Sequence, residues 1–326
     1  LTLLAMVVGG NKFLKDWGFE TVIFSLLIGL FISNIFSIPK WLKEALSSEL
    51  FVKIGLVLLG TTVLFDDLLK AGALGLIQSC VVVFTVWNFC FWLCRKMKID
   101  KEMSLMLSSA VSICGVSAAV ATAGAIKGDK TKLSYVVSLV LVVAVPMILI
   151  MPGLAKLMGL PEDMAGAWIG GTIDTTGAVA ATGAIYGEVA LQTSTIVKFS
   201  QNVLLGVAAF LISIYWSYSK KEVTEEKPTL KVIWLRFPKF VLGFVAASLV
   251  FSFCVAPEVV SDAKPILKNI QGMWFALAFM SIGLETDFKS LITSENRRST
   301  YAFLGAQAFN VVFTLLVAWI LFGLIA

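Results

Sequence analysis

Not one histidine occurs in the 326 residues. The side chain most used for general-base work and for holding transition metals is therefore missing, and the sequence offers no metal site and no resident cofactor. Charge is scarce as well: 14% of residues are Asp, Glu, Lys or Arg against 58% hydrophobic, and the mean hydropathy is +0.91. A soluble domain could not hide that much apolar surface. A phosphate-cradling G-x-x-x-x-G-K-[ST] loop is absent, which excludes an ATP-driven pump within this chain. The five cysteines, Cys80, Cys90, Cys94, Cys114 and Cys254, follow no metal-ligand or disulfide spacing; four read as inert core residues, and only Cys114 has polar neighbours. The net charge of +5 lies in segments between apolar runs. A positive-inside bias accounts for it, so nucleic acid is set aside as a partner.

What remains is a multi-pass helical membrane protein, with room for about ten spans of roughly 20 residues. The opening LTLLAMVVGG is too short to span and lacks a basic leader; it reads as the end of a helix begun upstream. Apolar periodicity predicts spans at 19–38, 50–69, 72–94, 131–151, 191–217, 238–256, 270–288 and 300–324. Two polar-flecked segments, 103–126 and 165–187, stand apart from these. The fold class is all-α polytopic, with about nine spans plus two re-entrant or broken helical hairpins in an inverted repeat.

The second of those segments carries GTIDTTGAVAATGAIYG, an acid and several hydroxyls among small residues. An acid there is expensive unless it does something. Its core, TGAVAATGAIYG (176–187), matches SAAVATAGAIKG (117–128) at seven of twelve positions, and a repeated small-residue segment of this kind points to a binding site at a repeat interface. Length does not decide whether 103–126 and 165–187 cross or fold back, since 24 helical residues reach about 36 Å. Charge does: if both fold back, broken near Gly115 and near Thr175 to Gly177, the loops on one side hold 18 Lys and Arg against 6 on the other. That is the split expected with the first side cytoplasmic. LLIGLFISN (26–34) then resembles FVLGFVAAS (240–248), and LLGTTVLFDDLL (58–69) resembles MSIGLETDFKSL (280–291), each pair pointing in opposite directions. The domain reading is one membrane domain: an N-terminal part, 1–218, with repeat 1 (19–151) and the start of repeat 2 (165–218), a charged linker, 219–237, and the remainder of repeat 2, 238–326.

The pair SICGVSAAVATAG and GGTIDTTGAVAATG, followed by an apolar helix with a lysine in TIVKFSQN, resembles the YeiH family of bacterial inner-membrane proteins over most of the chain. The resemblance implies a multi-pass inner-membrane protein built from inverted repeats with broken helices, and sulfate export is the function usually attached to that family. Lys198 fits the family pattern. Asp174 stands where a His is expected, Ala178 where a Gln is expected, and Gln201 where an Arg commonly follows the lysine.

Two readings of Asp174 stand side by side: a cap for the second half-hairpin, or a site for a coupling Na⁺ or proton. For Lys198 the choices are a salt bridge to Asp174, snorkelling to the outer interface, or direct contact with substrate. Ser112, Cys114, Gly115, Ser117, Thr172, Thr175, Thr176 and Gly177 sit at or beside the breaks. They either satisfy freed backbone groups or present half-helix N-termini to an anion. Trp17, Trp41, Trp168, Trp216 and Trp234 read as an interfacial belt; Pro146 and Pro152 would kink or end their helix; Asp66, Asp67 and Asp287 would end their spans. The expected function is secondary transport of a small anion (sulfate, sulfite or sulfonate), coupled to a cation. A passive channel is the rival, and an intramembrane enzyme is disfavoured because a second acid, a histidine and a Ser/Lys motif are all missing. The expected partners are the small anion and the lipid bilayer, and the option of a homodimer stays open.

Overall fold

A computed structural model describes residues 21–36, 46–63, 65–219, 239–285 and 297–325, with the single positions Thr2, Pro39 and Trp234. The readings made for Trp17, Trp41, Asp287 and the linker beyond Ser219, Trp234 apart, lie outside these residues. Every regular element among them is helical: α1 (Thr21–Ile35), α2 (Ser48–Gly60), α3 (Phe65–Lys96), α4 (Lys101–Ser109), α5 (Gly115–Ile126), α6 (Lys130–Leu157), α7 (Glu162–Thr172), α8 (Thr176–Tyr186), α9 (Glu188–Ser219), α10 (Phe240–Leu249), α11 (Pro257–Glu285) and α12 (Arg297–Ala318). Wider π turns join α4 to α5 (Ala110–Cys114) and extend α10 (Val250–Cys254) and α12 (Trp319–Ile325). The chain is an all-α membrane protein; among the described residues, five stretches are long and apolar enough to cross a bilayer, with shorter apolar helices at Phe24–Ile35 and Phe240–Cys254.

One of those five stretches, Lys101–Ile126, does not run straight. Cys114 leaves the helical region at φ −148°, ψ 83°, and the chain turns back there. The consequence shows at the base, where Lys132, just after the hairpin, reaches Asp100 at 2.7 Å and Glu102 at 3.3 Å. Leu105 and Ile126, which a straight helix would hold about 31 Å apart, share one apolar cluster with Ile212. The second hairpin is α7 and α8, parted by extended backbone at Ile173 and Thr175. Its ends also meet: Tyr186 Oη donates to the Leu160 carbonyl, and Glu162 Oε2 accepts from the amides of Val189 (2.9 Å) and Ala190 (3.4 Å). Helix α6 links the two bases and spans about 42 Å at 1.5 Å per residue, so the hairpins enter from opposite ends of the molecule.

The helices outside the hairpins close on glycines. A Cβ on Gly29 in α1 would lie 2.6 Å from the Met280 carbonyl and 3.0 Å from Gly283 Cα in α11. Without a solvent-driven hydrophobic force, such close backbone approach supplies the dispersion that holds membrane helices together. The sequence repeat pairs α1 with α10 and α2 with α11; correspondingly, Gly60 of α2 abuts Phe244 and Ala247 of α10, and Gly243 faces Val57. The small residues that carry the repeat are thus the ones at its helix crossings.

Several boundaries differ from the sequence reading. Helix α2 stops at Gly60, and Phe65–Lys96 runs on as a single helix of 32 residues, so Asp66 and Asp67 begin a helix rather than end one. Helix α11 starts at Pro257, well before 270. Pro146 and Pro152 both lie inside α6, which continues through them. Trp168 is 1% exposed and donates to the Val311 carbonyl at 2.8 Å, so it belongs to the core and not to an interfacial belt. Cys80 and Cys254 are exposed on the helix surface rather than held in the core.

Candidate functional site

The two breaks meet. A Cβ on Gly115 would run into Val140 Cγ1 of α6 and would lie 3.2 Å from the Asp174 carbonyl and 3.3 Å from its Cβ, so glycine is what lets the first tip fit between α6 and the second tip. Cys114 Sγ lies 3.8 Å from Thr176 Oγ1 across the same contact. Helices α5 and α8 both begin at this crossing, which brings two half-helix N-termini, each the positive end of its dipole, to one place.

Breaking a helix frees backbone carbonyls that must find donors in an apolar interior. The neighbouring long helices supply them. Lys198 of α9 donates to the Ile113 carbonyl at 2.9 Å and to Gln201 Oε1 at 2.5 Å, while Gln201 Nε2 donates to the Gly171 carbonyl at 3.0 Å. From the other flank, Asn310 Nδ2 of α12 is shared between the carbonyls of Val111 (3.2 Å) and Thr172 (3.1 Å) and is oriented by Thr314 Oγ1, which donates to its Oδ1. Gln307 Nε2 also donates to the Thr172 carbonyl, at 3.0 Å. Each flank therefore ties the first hairpin to the second.

In front of the tips lies a cavity of about 830 Å³. Its floor is polar, formed by Cys114, Ser117, Thr175, Thr176, Gly177 and Asn202, and one wall is aliphatic, formed by Val116, Val120, Val137, Leu141, Val145 and Ile148. Val52, Phe240 and Ile282 face it from α2, α10 and α11, and its mouth carries Glu49, Lys53, Lys239 and Glu285. There Lys53 pairs with Glu49 at 2.7 Å, and Ser48 Oγ donates to Glu285 at 2.7 Å. Lys268, early in α11, pairs with Glu188 at the base of the second hairpin. The far end of α11, with Glu285, thus points to the opposite end of the molecule, where the first hairpin has its base.

The residues singled out in the sequence separate into two shells. Cys114, Ser117, Thr175, Thr176 and Gly177 line the cavity. Ser112, Gly115, Thr172, Asp174 and Lys198 do not; they lie behind the tips. Ser112 Oγ merely returns to the Ser108 carbonyl at 2.7 Å. Thr175, not Asp174, caps α8, accepting from Ala178 N at 3.2 Å, which corrects the capping reading of Asp174. Lys198 is 1% exposed and so does not snorkel to an interface. It forms no ion pair with Asp174; its ammonium donates instead to the Ile113 carbonyl and to Gln201 Oε1. Asp174, 2% exposed, keeps its Oδ2 without a hydrogen-bond partner. Among the described residues these two are the charged side chains fully buried in the protein.

Residues missed in the sequence are Gln78, Asn202, Gln307, Asn310 and Thr314. A signal was present, since Gln307, Asn310 and Thr314 recur at i, i+3 and i+7 and share one face of an apolar helix. Asn202 follows Lys198 by four and donates to Thr176 Oγ1 at 3.2 Å.

The chain has relatives among known proteins. Residues 1–302 match the family described as conserved hypothetical protein 698. A UPF0324 membrane protein of Rhodopirellula baltica is 39% identical over 335 residues, covering 100% of this chain and 62% of that protein. Another, from Nitratidesulfovibrio vulgaris, is 38% identical over 339 residues, covering 100% of this chain and 58% of its own length. A third, from Nitrosomonas europaea, is 30% identical over 327 residues, covering 88% and 67%. The chain therefore spans about three fifths of the length of the first two relatives. No solved structure matches it.

Proposed function

The chain belongs to the conserved hypothetical protein 698 family, the UPF0324 membrane proteins, a membership in keeping with the YeiH resemblance of its motifs, and from it we propose a secondary transporter of a small anion, coupled to a cation. The observation that carries the proposal is the meeting of two oppositely entering hairpins at a cavity floor made of two helix N-termini. Such a floor holds an anion through backbone amides and hydroxyls without needing an arginine. The substituted Gln201 supports this, because it serves the Gly171 carbonyl. Lys198, behind the tip, adds positive potential without touching the cargo.

The aliphatic wall favours a sulfonate with an organic body over bare sulfate, since the volume suits a ligand larger than a tetrahedral oxyanion. By the charge split the cavity mouth lies on the cytoplasmic side of a bacterial inner membrane. Alternating access then needs α1, α2, α10 and α11 to shift against the tied hairpins, closing this mouth and opening the opposite one. The test is flux in proteoliposomes loaded with short organosulfonates or sulfate. Saturable uptake driven by an imposed Na⁺ or proton gradient supports the transporter; flux that neither saturates nor responds to the gradient supports a passive channel instead.

A further inference from the structure

Seven buried side-chain oxygens among the described residues have no hydrogen-bond partner, and four of them sit on the break of the second hairpin or on side chains in contact with α7 and the break. Thr172 Oγ1 and Asp174 Oδ2 belong to the break itself. Gln307 is bound to it through Nε2, which donates to the Thr172 carbonyl and leaves Oε1 unmatched. Gln78 lies against Gly171 with Nε2 donating to the Ala167 carbonyl at 2.7 Å, which again leaves Oε1 unmatched. In both amides the nitrogen is fixed by a carbonyl that can only accept, so turning the amide over would not help. All four residues are at most 4% exposed.

Three of these oxygens, on Asp174, Gln307 and Gln78, can only accept, and the Thr172 hydroxyl has lone pairs to offer as well. A buried acceptor without a donor is costly, and several at one break call for a cation or a donor that the surrounding side chains do not supply. Lys198 makes no hydrogen bond to any of them, its ammonium donating to Ile113 and Gln201. A proton on Asp174 would match one or two of the oxygens and leave the rest. A small cation would match several at once. The donor set is hard, all oxygen, with a single carboxylate, which fits a monovalent ion better than Ca²⁺ or Mg²⁺ with their larger demand for charge and ligands.

We propose that Asp174, Thr172 and Gln307 form a Na⁺ site behind the tip of the second hairpin, with Gln78 completing it from α3. This rests on the cation-coupled reading above and deepens it by naming the ion and its ligands. Na⁺ would neutralise Asp174 and fix the unwound segment 173–175, whose outer face is the floor of the anion cavity. Ion and cargo would then be linked through one short piece of backbone.

The test is the melting temperature of the purified protein in detergent, without anionic cargo, as NaCl replaces KCl or choline chloride at constant ionic strength. A saturable rise specific to Na⁺ is expected, since binding to the native state raises apparent stability, with matching saturable binding of radiolabelled sodium. Asp174→Asn should abolish the response. Thr172→Val and Gln307→Leu should raise the apparent Kd for Na⁺ at least tenfold, and Gln307→Glu, which keeps an oxygen ligand, should retain binding. If Asp174→Asn fails to fold, the affinity shift in Thr172→Val decides. An equal rise with K⁺ and choline, an unchanged Na⁺ response in Thr172→Val and Gln307→Leu, or stabilisation by acid alone would overturn the site. Because the assay contains neither cargo nor flux, such a failure leaves the anion-transport reading untouched, and a failure of flux leaves this result standing.

Discussion

Lys198 donates to the carbonyl of Ile113 at 2.9 Å. That bond settles where a fully buried ammonium goes in a chain whose one fully buried acid, among the described residues, is not within ion-pair distance. A lone charge in an apolar interior costs several kcal/mol, and hydrogen bonds to a freed carbonyl and to Gln201 are the compensation this site supplies. The bond also fixes what the residue does: through Gln201 and Gly171, α9 holds both breaks, and Asn310 holds both again from α12.

Lys198→Met and Gln201→Leu should each lower thermal stability by about 1–3 kcal/mol, the cost of leaving buried carbonyls without a donor. Because they share one hydrogen-bond chain, the double variant should lose less than the sum. Asp174→Asn combined with Lys198→Met should lie closer to additive. Thermal unfolding of the parent and the five variants, Asp174→Asn alone included, checks both, and strong coupling of Asp174 with Lys198 would restore the direct pair that the geometry rejects.

Cysteines placed at Lys101 and Lys130 should react with an impermeant thiol reagent from the same side of the membrane, because Lys132 lies 2.7 Å from Asp100 at the base of the first hairpin. Cysteine at Glu188, at the base of the second, should react from the opposite side. Labelling of Lys101 and Lys130 from different sides would make the first hairpin a crossing helix.

Ser117→Val with Thr175→Val should weaken anion binding about tenfold or more, as each removes a hydroxyl from the cavity floor; one lost hydrogen bond to a charged group is worth about 1.5–3 kcal/mol. Thr175→Val also deletes the cap on Ala178, which costs about 1 kcal/mol of stability. Thr175→Ser is the control, keeping cap and hydroxyl. Affinity titrations alongside melting curves separate the two effects, and unchanged affinity in the double variant would move the anion elsewhere.

Asp129, in the short turn before α6, accepts from the amides of Lys132 (3.0 Å) and Thr131 (2.7 Å). Those bonds hold its carboxyl below the ordinary value. A depressed acid contributes stability that is present above its unfolded pKa and fades as pH falls through the folded one. Asp129→Ala should therefore melt lower than the parent at neutral pH, and the two melting temperatures should converge in acid. A constant gap down to pH 3 would mean that the cap is not electrostatic.

The hairpins were legible because two independent signals agreed: the seven-of-twelve repeat of small residues, and a basic bias that only folding back makes one-sided. Small residues are written into such a sequence by the close backbone approach they permit, as Gly115 against Asp174 and Gly29 against Gly283 show. The helix boundaries were less legible. The spans read at 50–69 and 72–94 left Lys70 in a loop, yet α3 runs through it, since an exposed lysine near a helix end is tolerated where its charge reaches the headgroups. Trp168 was misplaced for a similar reason: an indole near a span end looks interfacial until a partner such as the Val311 carbonyl makes it a core residue.

By itself the sequence determined the class, the two breaks and the entry of the hairpins from opposite ends, and it singled out Asp174 and Lys198 as charges without a place in lipid. These follow from composition, periodicity and charge, which act locally or through the bilayer. Only the tertiary structure decided who satisfies whom. Lys198 was read as pairing with Asp174, reaching the outer interface or touching substrate, and its actual partner, the Ile113 carbonyl, belongs to a backbone break 85 residues away in sequence. Asn310 and Gln307 looked like ordinary polar residues in an apolar helix until α12 was packed beside the crossing. A freed carbonyl accepts from whichever donor the packing brings to it, and its hydrogen-bond partner is therefore a property of the assembled helices rather than of any one segment.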